Sequence, residues 1–191
     1  GTIINTTDGG ETWQHQYSGT TEYLNYVKFH NPENGIITGT VNLTSGNGGK
    51  DWNLDDKGSM WINGGYFVNN TTGWFVGING SIKKTTDGGQ SWNFQVIEQV
   101  NELFSVFFSD QFHGWIGGRS GLILATTDSG STWTPQVSGV TQKLYSISFT
   151  DNQNGCIVGD GGTILKTTNG GVTWTPQVSN TTKGLYGIKF T

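Results

Sequence analysis

The chain has 191 residues, of which 13% are charged and 31 are glycine, and its formal net charge is −4. A nucleic-acid interface needs a clustered basic surface, whereas this sequence has one arginine, Arg119, and scattered lysines. No apolar run approaches the roughly 18 residues of a membrane span, and a single cysteine excludes an internal disulfide.

The predicted elements begin with a short strand at residues 1–4, followed by the phrase TTDGGETW at residues 6–13. Variants of this phrase recur as SGNGGKDW, TTDGGQSW, TTDSGSTW and TTNGGVTW. The tryptophans that close the five phrases are separated by 39, 40, 41 and 41 residues. They are Trp13, Trp52, Trp92, Trp133 and Trp174. Such steady spacing indicates an internal repeat of about 40 residues.

Each repeat reads as four short strands, seen most clearly in the last complete copy. A first strand with alternating apolar residues (144–149) precedes a loop and a second strand (156–159). A tight turn of the kind written Asn79-Gly80 leads to a third strand (163–168), and the repeated phrase leads to a fourth (172–177). The pattern predicts an all-β protein, a β-propeller of four-stranded antiparallel blades with about five repeats.

The register of the repeats bears on domain organisation. The chain opens in a third strand and closes in a first strand (185–190), so it holds four whole blades and two partial ones. Either the last strand joins the first two to close a ring, or further blades lie outside residues 1–191. We expect a single propeller domain or segment that is covalently part of a longer chain.

The repeated phrase is interpreted as a fold-building turn. Its acidic position reads Asp8, Asn47, Asp87, Asp128 and Asn169. Asparagine can accept the same hydrogen bonds as aspartate, but it cannot serve as a general base or a strong calcium ligand. We therefore expect the carboxylate to bind backbone N–H groups of the turn, the glycines to adopt positive φ, and the tryptophan to wedge against the next blade. The three histidines occupy unrelated repeat positions, so no metal site and no cofactor is predicted.

The pattern S/T-x-D-x-G-x-T-W resembles the Asp-box of sialidase-type (BNR) repeats. The longer string GTILKTTNGGVTWTPQVSNTTKGLYGIKF (162–190) resembles the repeats of photosystem II stability/assembly-factor-like propellers, which also occur in secreted bacterial proteins. The resemblance covers the whole chain. It implies the propeller fold and leaves several functions open.

Three functions implied by this resemblance can be compared with the residues. Sialidases use an arginine triad, which a chain with Arg119 alone does not supply. Xyloglucanases with Asp-box propellers use a carboxylate pair across a cleft, for which Asp55, Asp56, Glu98 and Glu102 are candidates, although solvated loop acids explain them as well. Assembly-factor propellers carry a basic arginine patch, which this chain lacks.

A ligand site is expected where residues depart from the repeat. The residue before each first strand reads Tyr23, Trp61, Glu102, Lys143 and Gly184, and the turn between the second and third strands adds Arg119 and Asp160. We expect these to line one mouth of the propeller channel, with the aromatic rings stacking on a ligand and the charged groups making hydrogen bonds. Unconstrained loop positions are the alternative interpretation.

The sequence therefore favours a non-catalytic, extracytoplasmic binding or scaffolding module that recognises a protein or a polysaccharide. The alternatives are a glycoside hydrolase whose catalytic carboxylates lie partly outside these residues, and a photosystem II-type assembly factor.

Overall fold

The computed structural model describes residues 1–55, 61–95, 97 and 101–190, without the side chain of Asp55. Within these residues the chain is all-β, and 18 strands form one two-stranded sheet and four four-stranded sheets. The predicted all-β propeller fold with four-stranded antiparallel blades is confirmed.

The strands follow one another in chain order within every sheet. The first two sheets contain β1 (Ile3–Asn5) and β2 (Gln14–Gln16), then β3 (Leu24–Phe29), β4 (Gly35–Gly39), β5 (Asn42–Ser45) and β6 (Asn53–Asp55). The third contains β7 (Ile62–Phe67), β8 (Gly73–Gly77), β9 (Ile82–Thr85) and β10 (Asn93–Gln95). The fourth contains β11 (Leu103–Phe108), β12 (Gly114–Gly118), β13 (Ile123–Thr126) and β14 (Thr134–Gln136). The fifth contains β15 (Leu144–Phe149), β16 (Gly155–Gly159), β17 (Ile164–Thr167) and β18 (Thr175–Pro176).

The chain divides into two compact units, residues 1–63 and 64–191. In the first unit, the β1–β2 hairpin packs on the sheet β3–β6 through buried Ile3, Ile37 and Leu43. The indole of Trp52 donates a hydrogen bond to Gln16 Oε1 on β2 at 3.2 Å, which ties the hairpin to the sheet. Apolar burial thus comes from the facing surfaces of neighbouring sheets, as alternating strands with two covered faces require.

In the second unit, aromatic rings join successive sheets. Trp115 on β12 stacks on Phe149 of β15, with ring centroids 3.6 Å apart and planes inclined by 12°. Trp174 meets the same phenylalanine edge-on at 6.0 Å. The preceding interface repeats the arrangement with Trp74 and Phe108 stacked at 3.7 Å. Buried aromatic surface of this kind dominates the stability of a core.

The repeated phrase builds the turn, as predicted. In the copy at residues 126–133, Asp128 Oδ1 accepts the Thr132 N–H at 2.9 Å, and Oδ2 accepts the Thr132 hydroxyl at 2.7 Å. Gly130 has φ +71° and would clash with neighbouring indoles if it carried a Cβ. Hydrogen bonds to Thr132, opposed by partial desolvation, lower the pKa of Asp128 to about 2. Asp8, Asn47, Asp87 and Asn169 accept the equivalent backbone hydrogen bond.

The direction of the tryptophan contact differs from the prediction. The phrase tryptophan packs on the first-strand phenylalanine of its own sheet and bonds to a glutamine of the preceding sheet, not the next one. Trp174 donates to Gln136 Oε1 at 3.1 Å, and Trp133 donates to Gln95 Oε1 at 3.4 Å. The reason is that the fourth strands β2, β10 and β14 each end in a glutamine, which lies beside the turn of the following sheet. Trp92 packs on Phe75 of its own sheet, and Trp13 is exposed.

The last two predicted strands of the chain depart most from their predicted limits. The fourth strand of the last sheet is confined to Thr175–Pro176, because the turn occupies the residues before it. Residues 185–190, expected to form a first strand, belong to no strand. The Leu185 N–H bonds to the Gly159 carbonyl at 3.0 Å, whereas the Ile188 and Phe190 N–H groups bond to side chains of β15, Ser146 Oγ at 3.2 Å and Ser148 Oγ at 3.3 Å.

Candidate functional site

The first strand of three sheets carries a β-bulge at its second residue. On β11 the pairing passes from Leu103 opposite Gly118 to Ser105 opposite Gly117, so Phe104 has no partner of its own. On β15 the same shift occurs between Leu144 and Ser146, at Tyr145. A bulge re-aims the side chain of the extra residue and is over-represented beside functional sites. The bulges therefore single out Phe104 and Tyr145.

The two bulged residues and Tyr186, which also follows the leucine of its repeat, form a row of aromatic rings in the second unit, here called the aromatic row: Phe104, Tyr145 and Tyr186. Ring centroids are 5.2 Å apart between Phe104 and Tyr145, and 4.9 Å apart between Tyr145 and Tyr186. Tyr186 is 73% exposed, and the other two are half-buried. The row thus offers partly exposed ring surface to which an apolar or planar ligand group can bind.

Short turns between the second and third strands bring charged groups to this row. The turns Arg119–Gly121 and Asp160–Gly162 are three-residue 3₁₀ turns, longer than the two-residue hairpins that the sequence predicted, and their central residues have positive φ. The Arg119 N–H bonds to the Glu102 carbonyl at 2.8 Å, and the Asp160 N–H bonds to the Lys143 carbonyl at 2.9 Å. Each turn is therefore fixed beside the start of the first strand of its own sheet.

The charged side chains are paired around the aromatic row. Arg119 Nη1 lies 3.7 Å from Glu102 Oε2, an exposed ion pair of small energetic weight. Partial burial, followed by a hydrogen bond to Asp160, raises the pKa of Tyr145 to about 12, and the charges of Asp160 and Glu102 act in the same direction. The Tyr145 hydroxyl therefore stays protonated at neutral pH, with Asp160 as its hydrogen-bond partner.

Residues 60–139 match the family model described as photosynthesis system II assembly factor YCF48. Among solved structures, the chain is similar to YCF48 bound to a D1 peptide, with 22% identity, a TM-score of 0.74, and coverage of 98% of this chain and 63% of that one.

The repeats are BNR-type propeller repeats.

Two further structures share the propeller fold. YCF48 from Cyanidioschyzon merolae is 15% identical, with a TM-score of 0.76 and coverage of 97% of this chain and 69% of that one. A GH74 enzyme from Niastella koreensis is 18% identical, with a TM-score of 0.73 and coverage of 94% of this chain and 34% of that one. No curated protein matches the sequence.

The predicted site residues fall into two groups, one in each compact unit. Glu102, Arg119, Lys143 and Asp160 lie together in the second unit, around the aromatic row. Tyr23 and Trp61 belong to the first unit and are 76% and 51% exposed. Their part in a ligand site stays a prediction.

Other candidates of the sequence are less informative. Asp56, Glu98 and the Asp55 side chain lie outside the described residues, so the carboxylate pair proposed for a hydrolase stays a prediction. Among the described residues there is no group of three metal-ligating side chains from His, Cys, Asp or Glu. Within the same residues, no helix has the length and apolarity required to span a membrane.

The sequence did not single out the aromatic row as a site. A signal was present, because the residue after the leucine that begins the first strand is aromatic in the last three repeats, at Phe104, Tyr145 and Tyr186. The alternation of apolar residues in the first strand predicted that these side chains pack between neighbouring sheets. The bulge, which breaks the alternation, is visible only in the strand register.

Proposed function

We propose that the chain is a non-catalytic binding module that recognises an extended segment of a partner protein at the aromatic row. The observation that supports this most directly is the pair of bulges that expose Phe104 and Tyr145 beside Tyr186, where a rigid scaffold presents ring surface. Aromatic side chains supply large contact area at a low cost in conformational entropy, and they are enriched where proteins bind partners.

The charges around the row suit a peptide better than a purely apolar ligand. Arg119 and Lys143 are positive, and Glu102 and Asp160 are negative. Glu102 and Lys143 directly precede the strands that carry Phe104 and Tyr145, and the turns that begin with Arg119 and Asp160 bond to their backbone carbonyls. Such a mixed rim can pair with backbone groups and with side chains of either sign. The structurally similar YCF48 was solved with a D1 peptide, which supports a peptide as the ligand class. We also propose an extracytoplasmic location, in line with the secreted proteins that carry similar repeats.

The test is a peptide-display selection on the purified protein, followed by titration calorimetry of selected peptides with three variants. Tyr186→Ala removes the most exposed ring of the row, and Tyr145→Phe removes the hydroxyl that binds Asp160. Tyr17→Ala is the matched control, since Tyr17 is also exposed but lies in the first unit. We expect Tyr186→Ala to weaken binding by about tenfold or more, which corresponds to about 1.4 kcal/mol. Equal affinities for Tyr186→Ala and Tyr17→Ala would rule out the aromatic row.

A glycoside hydrolase is the second candidate, favoured by one specific observation. Glu102 and Asp160 both contribute to the raised pKa of Tyr145, so two carboxylates from different sheets act on one side chain. The fold is also that of a GH74 enzyme. If the chain hydrolyses β-glucans, reducing ends will appear on incubation, and both Glu102→Gln and Asp160→Asn will abolish them. A polysaccharide bound without cleavage would instead support the carbohydrate-binding form of the module.

An assembly-factor role is the third candidate, and it rests on the match of residues 60–139 to YCF48. Arg119 is the sole arginine of the chain, so a basic patch for a partner would have to come from lysines. Binding of a D1-derived peptide that depends on Arg119 and Tyr186 would support this role. Peptides selected without any relation to D1 would favour the general binding module.

A further inference from the structure

Four charged residues around the aromatic row occupy two equivalent pairs of positions. Glu102 directly precedes β11 and Lys143 directly precedes β15, whereas Arg119 and Asp160 begin the turns between the second and third strands of the same two sheets. In each sheet the first N–H of the turn bonds to the carbonyl of the residue before the first strand. The two sheets thus place the same two positions side by side, but with the acid and the base exchanged.

The acid and the base form an ion pair in the first of these two sheets. Arg119 Nη1 lies 3.7 Å from Glu102 Oε2, so each of these charges has a counter-charge. In the other sheet Asp160 accepts a hydrogen bond from the Tyr145 hydroxyl, and no ion pair joins Lys143 to a carboxylate among the described residues. Lys143 is therefore the one of the four whose charged group has no side-chain partner within that part of the chain.

Lys143 lies on the same side of its strand as Tyr145. Leu144 and Ile147 belong to one buried core, so the bulge turns Tyr145, which lies between them, away from that core. Lys143 directly precedes Leu144, and successive residues of an extended segment point to opposite sides. The half-buried Lys143 therefore also points away from the core, beside the ring of Tyr145.

The backbone that carries Lys143 is fixed from two sides. The Gln142 carbonyl accepts the Gly121 N–H at 2.8 Å, from the turn of the preceding sheet. The Lys143 carbonyl accepts the Asp160 N–H at 2.9 Å, from the turn of its own sheet. A side chain on a fixed backbone loses less conformational freedom on binding than one on a mobile loop, so less of the interaction energy is spent on ordering it.

We propose that Lys143 determines the specificity of the aromatic row by binding a carboxylate of the partner segment. This inference rests on the proposed function, and it names the chemistry that the row selects: an apolar or planar group for the rings, next to a carboxylate. The carboxylate belongs to an aspartate or glutamate side chain or to the carboxyl terminus of the segment. Its hydrogen bond to the ammonium is charge-assisted and stronger than a neutral one. Such a contact chiefly discriminates between partners, because a basic group in the same place is repelled.

The first experiment compares peptide selections on the wild-type protein and two variants, from one library displayed with free carboxyl termini. Lys143→Glu reverses the charge, and the preceding sheet already carries a glutamate at this position, Glu102. Lys50→Glu is the matched control, since Lys50 is exposed in the first unit and the first repeat carries Glu11 at its position. We expect acidic residues to be enriched on the wild-type protein and on Lys50→Glu. On Lys143→Glu the ratio of acidic to basic residues should fall at least about tenfold.

The second experiment is titration calorimetry with the peptide selected most often on the wild-type protein. Replacing its acidic side chain by the corresponding amide, or amidating its carboxyl terminus, shows which carboxylate binds, because only that change should weaken binding by about tenfold. Lys143→Gln should abolish the difference between the acid and amide peptides. Lys143→Arg should retain it, since arginine keeps the positive charge.

Two outcomes would overturn the inference and leave the proposed function in place. One is the same ratio of acidic to basic residues on the wild-type protein and on Lys143→Glu. The other is a difference between the acid and amide peptides that persists in Lys143→Gln. In both cases the selected peptides would still lose affinity with Tyr186→Ala. Selected peptides that bind Tyr186→Ala as tightly as wild type would overturn the proposed function and this inference together.

Discussion

Two stacked tryptophans, Trp74 and Trp115, will respond differently to replacement by phenylalanine. We expect the two substitutions to change the free energy of unfolding by different amounts. Trp74 and Trp115 are equivalent, are 0% and 2% exposed, and stack on their phenylalanines at 3.7 and 3.6 Å. Their indole N–H groups differ: Trp115 bonds to Gly170, whereas Trp74 Nε1 is buried without a hydrogen-bond partner among the described residues.

This difference in hydrogen bonding arises from the residue that pairs with each tryptophan on the neighbouring strand. Lys84 stands opposite Trp74 and Ala125 stands opposite Trp115. The Lys84 ammonium donates to the Ser129 carbonyl at 2.8 Å, the acceptor that corresponds to Gly170. The lysine therefore occupies the acceptor that Trp74 would otherwise use, and the burial that this requires lowers the pKa of Lys84.

The magnitude follows from the hydrogen bonds, because both substitutions delete the same part of the ring. Trp115→Phe loses a net hydrogen bond of about 0.5–1.5 kcal/mol, while Gly170 keeps its second donor, Gln136. Trp74→Phe removes an unpaired buried donor, which relieves about 1–3 kcal/mol. We expect Trp115→Phe to destabilise the protein more than Trp74→Phe by about 1.5–4.5 kcal/mol.

Equilibrium urea unfolding followed by far-UV circular dichroism measures this difference without relying on tryptophan fluorescence. Lys84→Met is the matched control, because it frees the Ser129 carbonyl for Trp74. On that background, Trp74→Phe should become as costly as Trp115→Phe. Equal costs of the two substitutions in the wild-type background would refute the reasoning.

Further predictions concern the turns of the repeated phrase. Asn47 donates its side-chain amide to Asp51 Oδ2 at 2.8 Å, so Asn47→Asp should place two carboxylates together and cost about 1–2 kcal/mol in urea unfolding, with rescue by Asp51→Thr. Asn169→Asp should be neutral or stabilising, because Thr173 can turn its hydroxyl to donate; a loss as large as that of Asn47→Asp would contradict this. Hydrogen bonds to Ser91 and Thr85 lower the pKa of Asp87 from 3.8 to about 2, so its contribution is complete above pH 4 and lost as the pH falls towards 2. Unfolding curves at pH 6, 4, 3 and 2 should thus show a smaller acid loss for Asp87→Asn than for wild type, and identical losses would contradict the assignment.

Much of the fold could be predicted from the sequence because its signals are local. Alternation marks a strand within six residues, and the phrase around Asp128 contains both the acceptor and the donors of its turn. The nearly equal spacing of the phrase tryptophans then predicts that each repeat forms a sheet with the same number and order of strands. Asparagine at the acidic position of two copies predicted a turn-building role for the phrase, and Asn169 indeed accepts the same backbone hydrogen bond.

Other features depend on contacts between residues about 12 to 45 positions apart, which no local pattern reveals. The bulge at Tyr145 arises from the register with β16, and it interrupts the alternation by which the sequence assigned this side chain to packing between sheets. Trp174 bonds to Gln136 of the preceding sheet, and Lys84 reaches a carbonyl of the following one. The sequence by itself determined the repeated sheet and its turns, since their hydrogen bonds close within a few residues. Only the tertiary structure decided which side chains remain exposed, because exposure depends on what each neighbouring sheet covers.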